Sequence, residues 1–236
     1  MIKADLSRGA LETANFVEQF ALDLDELLAT RLPEVSRHGP LNCLPLKARL
    51  IEAGHRLWQE CPPYLIRDRV LDECDTIRAV GALAIGGARE VSAAERLEML
   101  REFANDPHFG VREWAWIGLR HDLGESLIEL LPLLVGWADE ASERLRRFSC
   151  ELVRPRGVWC RHLKELQRNP SRGLPLLEQL RSDGSRYVQL SVGNWLNDAS
   201  HSQPAWVIDL CSRWGQIEHE RVPELILRRA LRSLPA

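Results

Sequence analysis

The 236-residue chain lacks the features that would place it in a membrane, staple it or bind a metal. Its longest apolar runs, such as Leu130 to Val135, fall far short of the roughly 20 residues that a spanning helix needs. The opening Met1-Ile2-Lys3-Ala4-Asp5-Leu6 has no basic stretch followed by an apolar one and no lipidation signal, so a cytoplasmic protein with no membrane partner is expected. Cys43, Cys61, Cys74, Cys150, Cys160 and Cys211 include no C-x-x-C pair, and reduced, mostly buried thiols are expected. The seven histidines show neither H-x-x-x-H nor H-E-x-x-H spacing, which argues against a metal. Gly81 to Gly87 has no following Lys-Ser or Lys-Thr and reads as a helix-helix turn, not a phosphate loop. No cofactor is expected. No alternating β-branched run of strand length stands out either.

What is present is helical periodicity from end to end, in roughly a dozen helices broken by short Pro, Gly, Asp and Ser punctuation. Ser92-Ala93-Ala94-Glu95 reads as a capping box. Pro204 after Gln203 and the cluster Asp183-Gly184-Ser185 mark two further helix starts. Three segments repeat: Val111 to Leu119, Leu145 to Val153 and Val188 to Leu196, at offsets of 34 and 43 residues. Each has an aliphatic anchor, a small or β-branched residue four on, and apolar residues seven and eight on, which is one buried stripe of a helix. Asp106, Asp139 or Asp183 stands a few positions upstream of each. These periods predict an all-α solenoid of HEAT-like helical pairs, an α-α superhelix, as one domain over 1–236.

With each anchor at zero on a helical wheel, Glu113 falls near roughly 200°, Glu151 near roughly 240° and Asp198 near roughly 280°. The wheel therefore predicts three acids on one surface away from the core, with Arg147 and Asn194 on the same stripe. Beside them runs a basic segment. From Arg144 to Arg186 eleven Lys or Arg face four acids, a local excess of seven positive charges in a chain whose net charge is −3. A basic stretch in an acidic chain fits a polyanion contact; it also fits a solvated arginine-rich face. Carboxylates repel DNA phosphates, so acids kept in such a groove suggest chemistry on a cation, or else ordinary ion pairs with neighbouring arginines.

The stretch Arg147-Phe148-Ser149-Cys150-Glu151-Leu152-Val153-Arg154-Pro155-Arg156-Gly157-Val158-Trp159 resembles the R-x-x-x-E-x-x-R-P-R-x-x-W signature of AlkC-type proteins. Ser185 to Asp198 is similar to their S-x-Y-V-x-x-S-V-x-N-x-L-N-D, and Val111-Arg112-Glu113-Trp114 to a family segment carrying another acid. The likeness to the AlkC/AlkD alkylpurine DNA glycosylases is strongest from about Phe109 to Trp214; Leu46-Lys47-Ala48-Arg49 is compatible but weaker. It implies a monomeric, monofunctional glycosylase without lyase activity that excises cationic N-alkylated bases, such as 3-methyladenine, from double-stranded DNA. Glu113, Glu151 and Asp198 match the family's catalytic acids. Arg147, Arg154, Arg156, Trp159, Arg186 and Asn194 are the DNA-binding candidates. The sequence departs from AlkD, which has a tryptophan where Asn194 stands; Trp195 is one residue away and points to the core stripe. The additional C-terminal domain that some AlkC proteins carry is not expected. A catalytically silent binder of unusual or damaged DNA, and a HEAT adaptor for another protein, are the alternatives. Among eight tryptophans, Trp195, Trp206 and Trp214 fit core packing, while Trp116 and Trp159 fit either packing or DNA contact.

Overall fold

The computed structural model describes residues 2–71, 73–217 and 221–234. Among them there are helices and no strands, and the fold is all-α and HEAT-like. The chain forms two compact units, Met1–Asp122 and Leu123–Ala236. Among the described residues no helix is long and apolar enough to cross a membrane.

In the first unit, α1 (Leu46–Glu60) packs on α2 (Asp75–Gly86), and α3 (Phe109–Leu123) follows. Gly81 and Gly86 lie inside α2, not in a turn, and only Gly87 caps it. The reason is close approach: a Cβ on Gly86 would stand 2.7 Å from the Gly118 backbone of α3. Ile77, Gly81, Ala84 and Ile85 repeat the anchor pattern 34 residues before Val111, so α2 is a fourth copy. The predicted capping box is formed, with Ser92 Oγ accepting from Glu95 N and Glu95 accepting from Ser92 N at 3.2 Å.

In the second unit, α4 (Leu131–Trp137) and α5 (Glu143–Leu152) pair, and α6 (Leu174–Leu180) packs on both. α7 (Arg186–Ser200) lies against α5, α6, α8 (Pro204–Gly215) and α9 (Glu224–Leu231). Pro204 opens α8 and Ser185 caps α7, as the punctuation predicts. The three stripes are buried as expected: Val111, Ala115, Gly118 and Leu119; Leu145, Ser149, Leu152 and Val153; Val188, Val192, Trp195 and Leu196.

A second repeated device joins neighbouring copies. The residue after each anchor reaches back to the preceding loop: Arg112 donates to the Asp106 carbonyl, Arg146 to that of Glu140, and Gln189 to that of Asp183. Arg78 and Arg146 also donate to the side chains of Asp106 and Asp183, the acids that open the following copies, at 2.8 and 2.7 Å. Each of those acids in turn accepts a backbone N–H two residues on, from His108 or Ser185. One carboxylate thus shapes the loop and ties two helices together, which is why an acid begins the segment.

Candidate active site

The wheel's surface stripe is overturned for two of its three acids. Glu151 on α5 is 4% exposed and Asp198 on α7 is 8% exposed. A wheel allots each helix one buried face, whereas α7 is packed on several sides and shields its own acid and that of α5. Both acids therefore need partners, because an unpaired buried charge costs several kcal/mol.

Arg154 supplies the shared one. It follows α5, and its guanidinium, with 15% side-chain exposure, donates from Nε to Asp198 Oδ2 at 2.8 Å and from Nη1 to Glu151 Oε2 at 3.1 Å. Ser191 Oγ donates to Glu151 Oε1 at 2.6 Å, and Arg147 Nη2 stands 3.6 Å from the same oxygen. Arg147 also lies over the Tyr187 ring at 4.4 Å. Burial pushes the Glu151 carboxyl up, but Arg147, Arg154 and Ser191 outweigh it and hold the group below the usual carboxylate range. Burial opposes the charge on Arg154 too, and the two carboxylates more than restore it. Two guanidinium groups thus face two carboxylates in one cluster. Sequence reasoning aims Arg154 at phosphate; the structure commits it to the two acids.

The turn after Arg154 is fixed by its own backbone. Leu163 N donates to Pro155 O at 3.0 Å, and a Cβ on Gly157 would come within 2.6 Å of Cys160 O, so only glycine fits. This turn presents Trp159 at 43% exposure, beside the exposed Val158 and half-buried Arg156. Trp195 is buried, donates to Val153 O at 2.9 Å and packs where a Cβ on Gly173 would clash. Trp214 is buried and Trp206 half-buried, and Trp206 lies 6.4 Å from Trp195 between ring centroids, so the packing reading holds for these three. Trp116 is buried as well, which removes it from the DNA-contact candidates.

Glu113 stands on α3, in the first unit, where its carboxylate accepts from Trp116 Nε1 at 3.0 Å. Asn194 on α7 is neither core nor bare: its Oδ1 accepts from Arg229 Nε at 2.7 Å and Arg232 Nη1 at 3.0 Å. Those two arginines come from α9 and the residue after it, outside the basic segment that the sequence marks. The signal that could have found them is Gly193. A glycine in a helix interior costs about 1 kcal/mol against alanine, and here a Cβ would meet Arg229 Cβ at 2.8 Å.

No family model matches the chain. It is similar to the uncharacterized protein YhaZ of Bacillus subtilis, 35% identical over 107 residues, which is 45% of this chain and 29% of YhaZ. Its fold is that of an alkylpurine DNA glycosylase AlkC from Pseudomonas fluorescens, solved bound to DNA containing an abasic site analog. The TM-score is 0.70 at 21% identity, over 99% of this chain and 61% of that one. AlkD2 from Streptococcus mutans has the same fold at TM-score 0.63 and 19% identity, over 80% of this chain and 90% of that one. The chain is thus an all-α protein with the HEAT-like fold of AlkC and AlkD, and it spans about three fifths of the AlkC chain and less than a third of YhaZ.

Proposed function

We propose that this protein acts in DNA alkylation repair as a monofunctional glycosylase, hydrolysing the N-glycosidic bond of cationic alkylated bases such as 3-methyladenine in duplex DNA. The observation that carries the reading is the pair of acids, Glu151 and Asp198, held by one arginine at positions that match the AlkC motifs. The solved AlkC complex with abasic-site DNA supports the substrate class.

The chemistry asks little of an acid catalyst. An N-alkylated purine already carries a positive charge, so the C1′–N bond can break with its electron pair neutralising the base. What remains is an oxocarbenium-like sugar. A carboxylate facing it stabilises the developing cation and accepts the proton of the water that adds at C1′. Asp198 is the residue proposed for that role, with Glu151 holding the Arg154 that both acids share. Glu113, on the first unit, is proposed as a catalytic acid on the motif likeness alone. No lysine nucleophile is invoked, so strand cleavage does not follow excision.

Asp198→Asn keeps the side-chain size and removes the charge. Single-turnover release of 3-methyladenine should fall on the order of 100-fold or more, while binding to abasic-site duplex persists. Excision within a factor of about two of the unaltered protein would make Asp198 structural. One observation favours a second reading, a silent binder of damaged or unusual DNA: Arg147 and Arg154 already balance the two acids. Unaltered protein that binds methylated duplex and releases no base would establish it.

A further inference from the structure

Several arginines of the second unit meet a carboxylate: Arg146 takes Asp183, Arg154 takes Glu151 and Asp198, and Arg181 takes Glu178. Arg186, Arg229 and Arg232 do not, among the described residues. Arg229 and Arg232 instead converge on one neutral acceptor, Asn194 Oδ1. A guanidinium has five donors, and a single amide oxygen answers two of the ten that this pair offers. Among the described residues no carboxylate is in ion-pair contact with either guanidinium, and only the more distant charge of Glu151 favours that of Arg229. Arg229, half-buried, is held below its ordinary pKa first by burial and then by repulsion from Arg232, Arg154 and Arg186. A fold that gathers like charges around a neutral orienting group, at a helix contact as tight as Gly193 against α9, presents a preformed anion seat.

We propose that Arg229 and Arg232, oriented by Asn194 and joined by the exposed Arg186, clamp a backbone phosphate of the DNA strand beside the Arg154–Asp198 pair. This rests on the DNA reading above and adds a contact that lies outside the basic segment and outside the acid motifs. Asn194 is then a positioning residue, not a base reader. Two forked guanidinium groups suit a phosphate diester, and such a contact carries no sequence preference.

The test is equilibrium binding of the full chain to a 25-base-pair duplex, with and without an abasic-site analogue, titrated in salt. Arg229→Ala/Arg232→Ala keeps the Cβ that packs on Gly193, so α9 should stay seated. Its affinity should fall about tenfold or more on both duplexes, and the log–log salt slope should shrink by about 1 to 2. Asn194→Asp places a carboxylate between the two arginines and should weaken binding in the same way without deleting either. Arg213→Ala, on α8 and paired with Asp209, should bind as the unaltered protein does. Unaltered affinity and slope in the double variant, or in Asn194→Asp should the double variant not fold, overturn the clamp. If the unaltered chain binds neither duplex, the DNA reading itself fails.

Discussion

Replacing Arg154 by methionine keeps most of its stem and removes one cation from between two buried carboxylates. Deleting one partner of a buried ion pair costs about 3 to 5 kcal/mol, because the remaining charge is stranded. The two acids are stranded unequally. Glu151 keeps Ser191 at 2.6 Å and Arg147 at 3.6 Å, while Asp198 Oδ2 loses the guanidinium that stood 2.8 Å away. Asp198 retains some solvent access, so the lower end of the range, about 3 kcal/mol, is expected at neutral pH. In a chain of this size that corresponds to a Tm lowered by about 6 to 12 °C. The pH dependence separates this cause from lost packing. In the unaltered protein the Glu151 carboxyl titrates below its unfolded value, so its contribution is full above about pH 4.3 and is lost as pH falls through the lower folded value. Without Arg154, burial acts on that carboxyl with less opposition and raises it, so protonation relieves the variant first. Thermal melts followed by circular dichroism should show a wide gap at pH 7.5 that narrows towards pH 4.5. A gap under about 1 kcal/mol at pH 7.5, or one that stays constant with pH, would refute the ion-pair account.

Two further outcomes follow from packing. Gly193→Ala should destabilise, because overpacking against Arg229 Cβ at 2.8 Å and Ile226 O at 3.2 Å costs about 1 to 3 kcal/mol and outweighs alanine's helix advantage; a raised Tm would show that α9 yields freely. Burial pushes the Cys150 thiol up to about 12 and the Cys211 thiol up to about 11. Native-state maleimide labelling near pH 8, read by peptide mass, should therefore find the exposed Cys43 and leave those two unmodified until the protein is unfolded.

The fold was legible wherever one periodicity acted alone. Val111, Ala115 and Leu119, with their counterparts from Leu145 and Val188, announce themselves by spacing because each set forms one buried stripe of its helix. The copy at Ile77 escaped because its small positions are glycines, which read as a turn until a helix crosses them. The arginines after Ile77 and Leu145 were in view, yet their partners lie 28 residues on from Arg78 and 37 from Arg146, and no local pattern carries that pairing. The site was half legible. Motif likeness selected Glu151 and Asp198, but a wheel drawn for one isolated helix put them on the surface. Burial came from neighbours on α7, and with it came the obligation for Arg154 to serve the acids.

Under the proposed DNA reading, that obligation lets carboxylates stand near a polyanion at all. Two bare acids would repel a phosphodiester backbone, whereas here Arg147 and Arg154 cancel their charge at close range. Arg186, Arg229 and Arg232 then leave that part of the unit with a positive surplus. The cancellation is not even. Glu151 receives two guanidinium groups and a hydroxyl, so little of its charge is available to anything else. Asp198 has only a share of one guanidinium and keeps contact with solvent. Of the two, Asp198 presents the more uncompensated charge to an approaching cation, and water can reach it. Under the proposed glycosylase reading, electrostatics ranks Asp198 first as the group for a cationic sugar, and Glu151 as the anchor that keeps Arg154 from neutralising Asp198 completely.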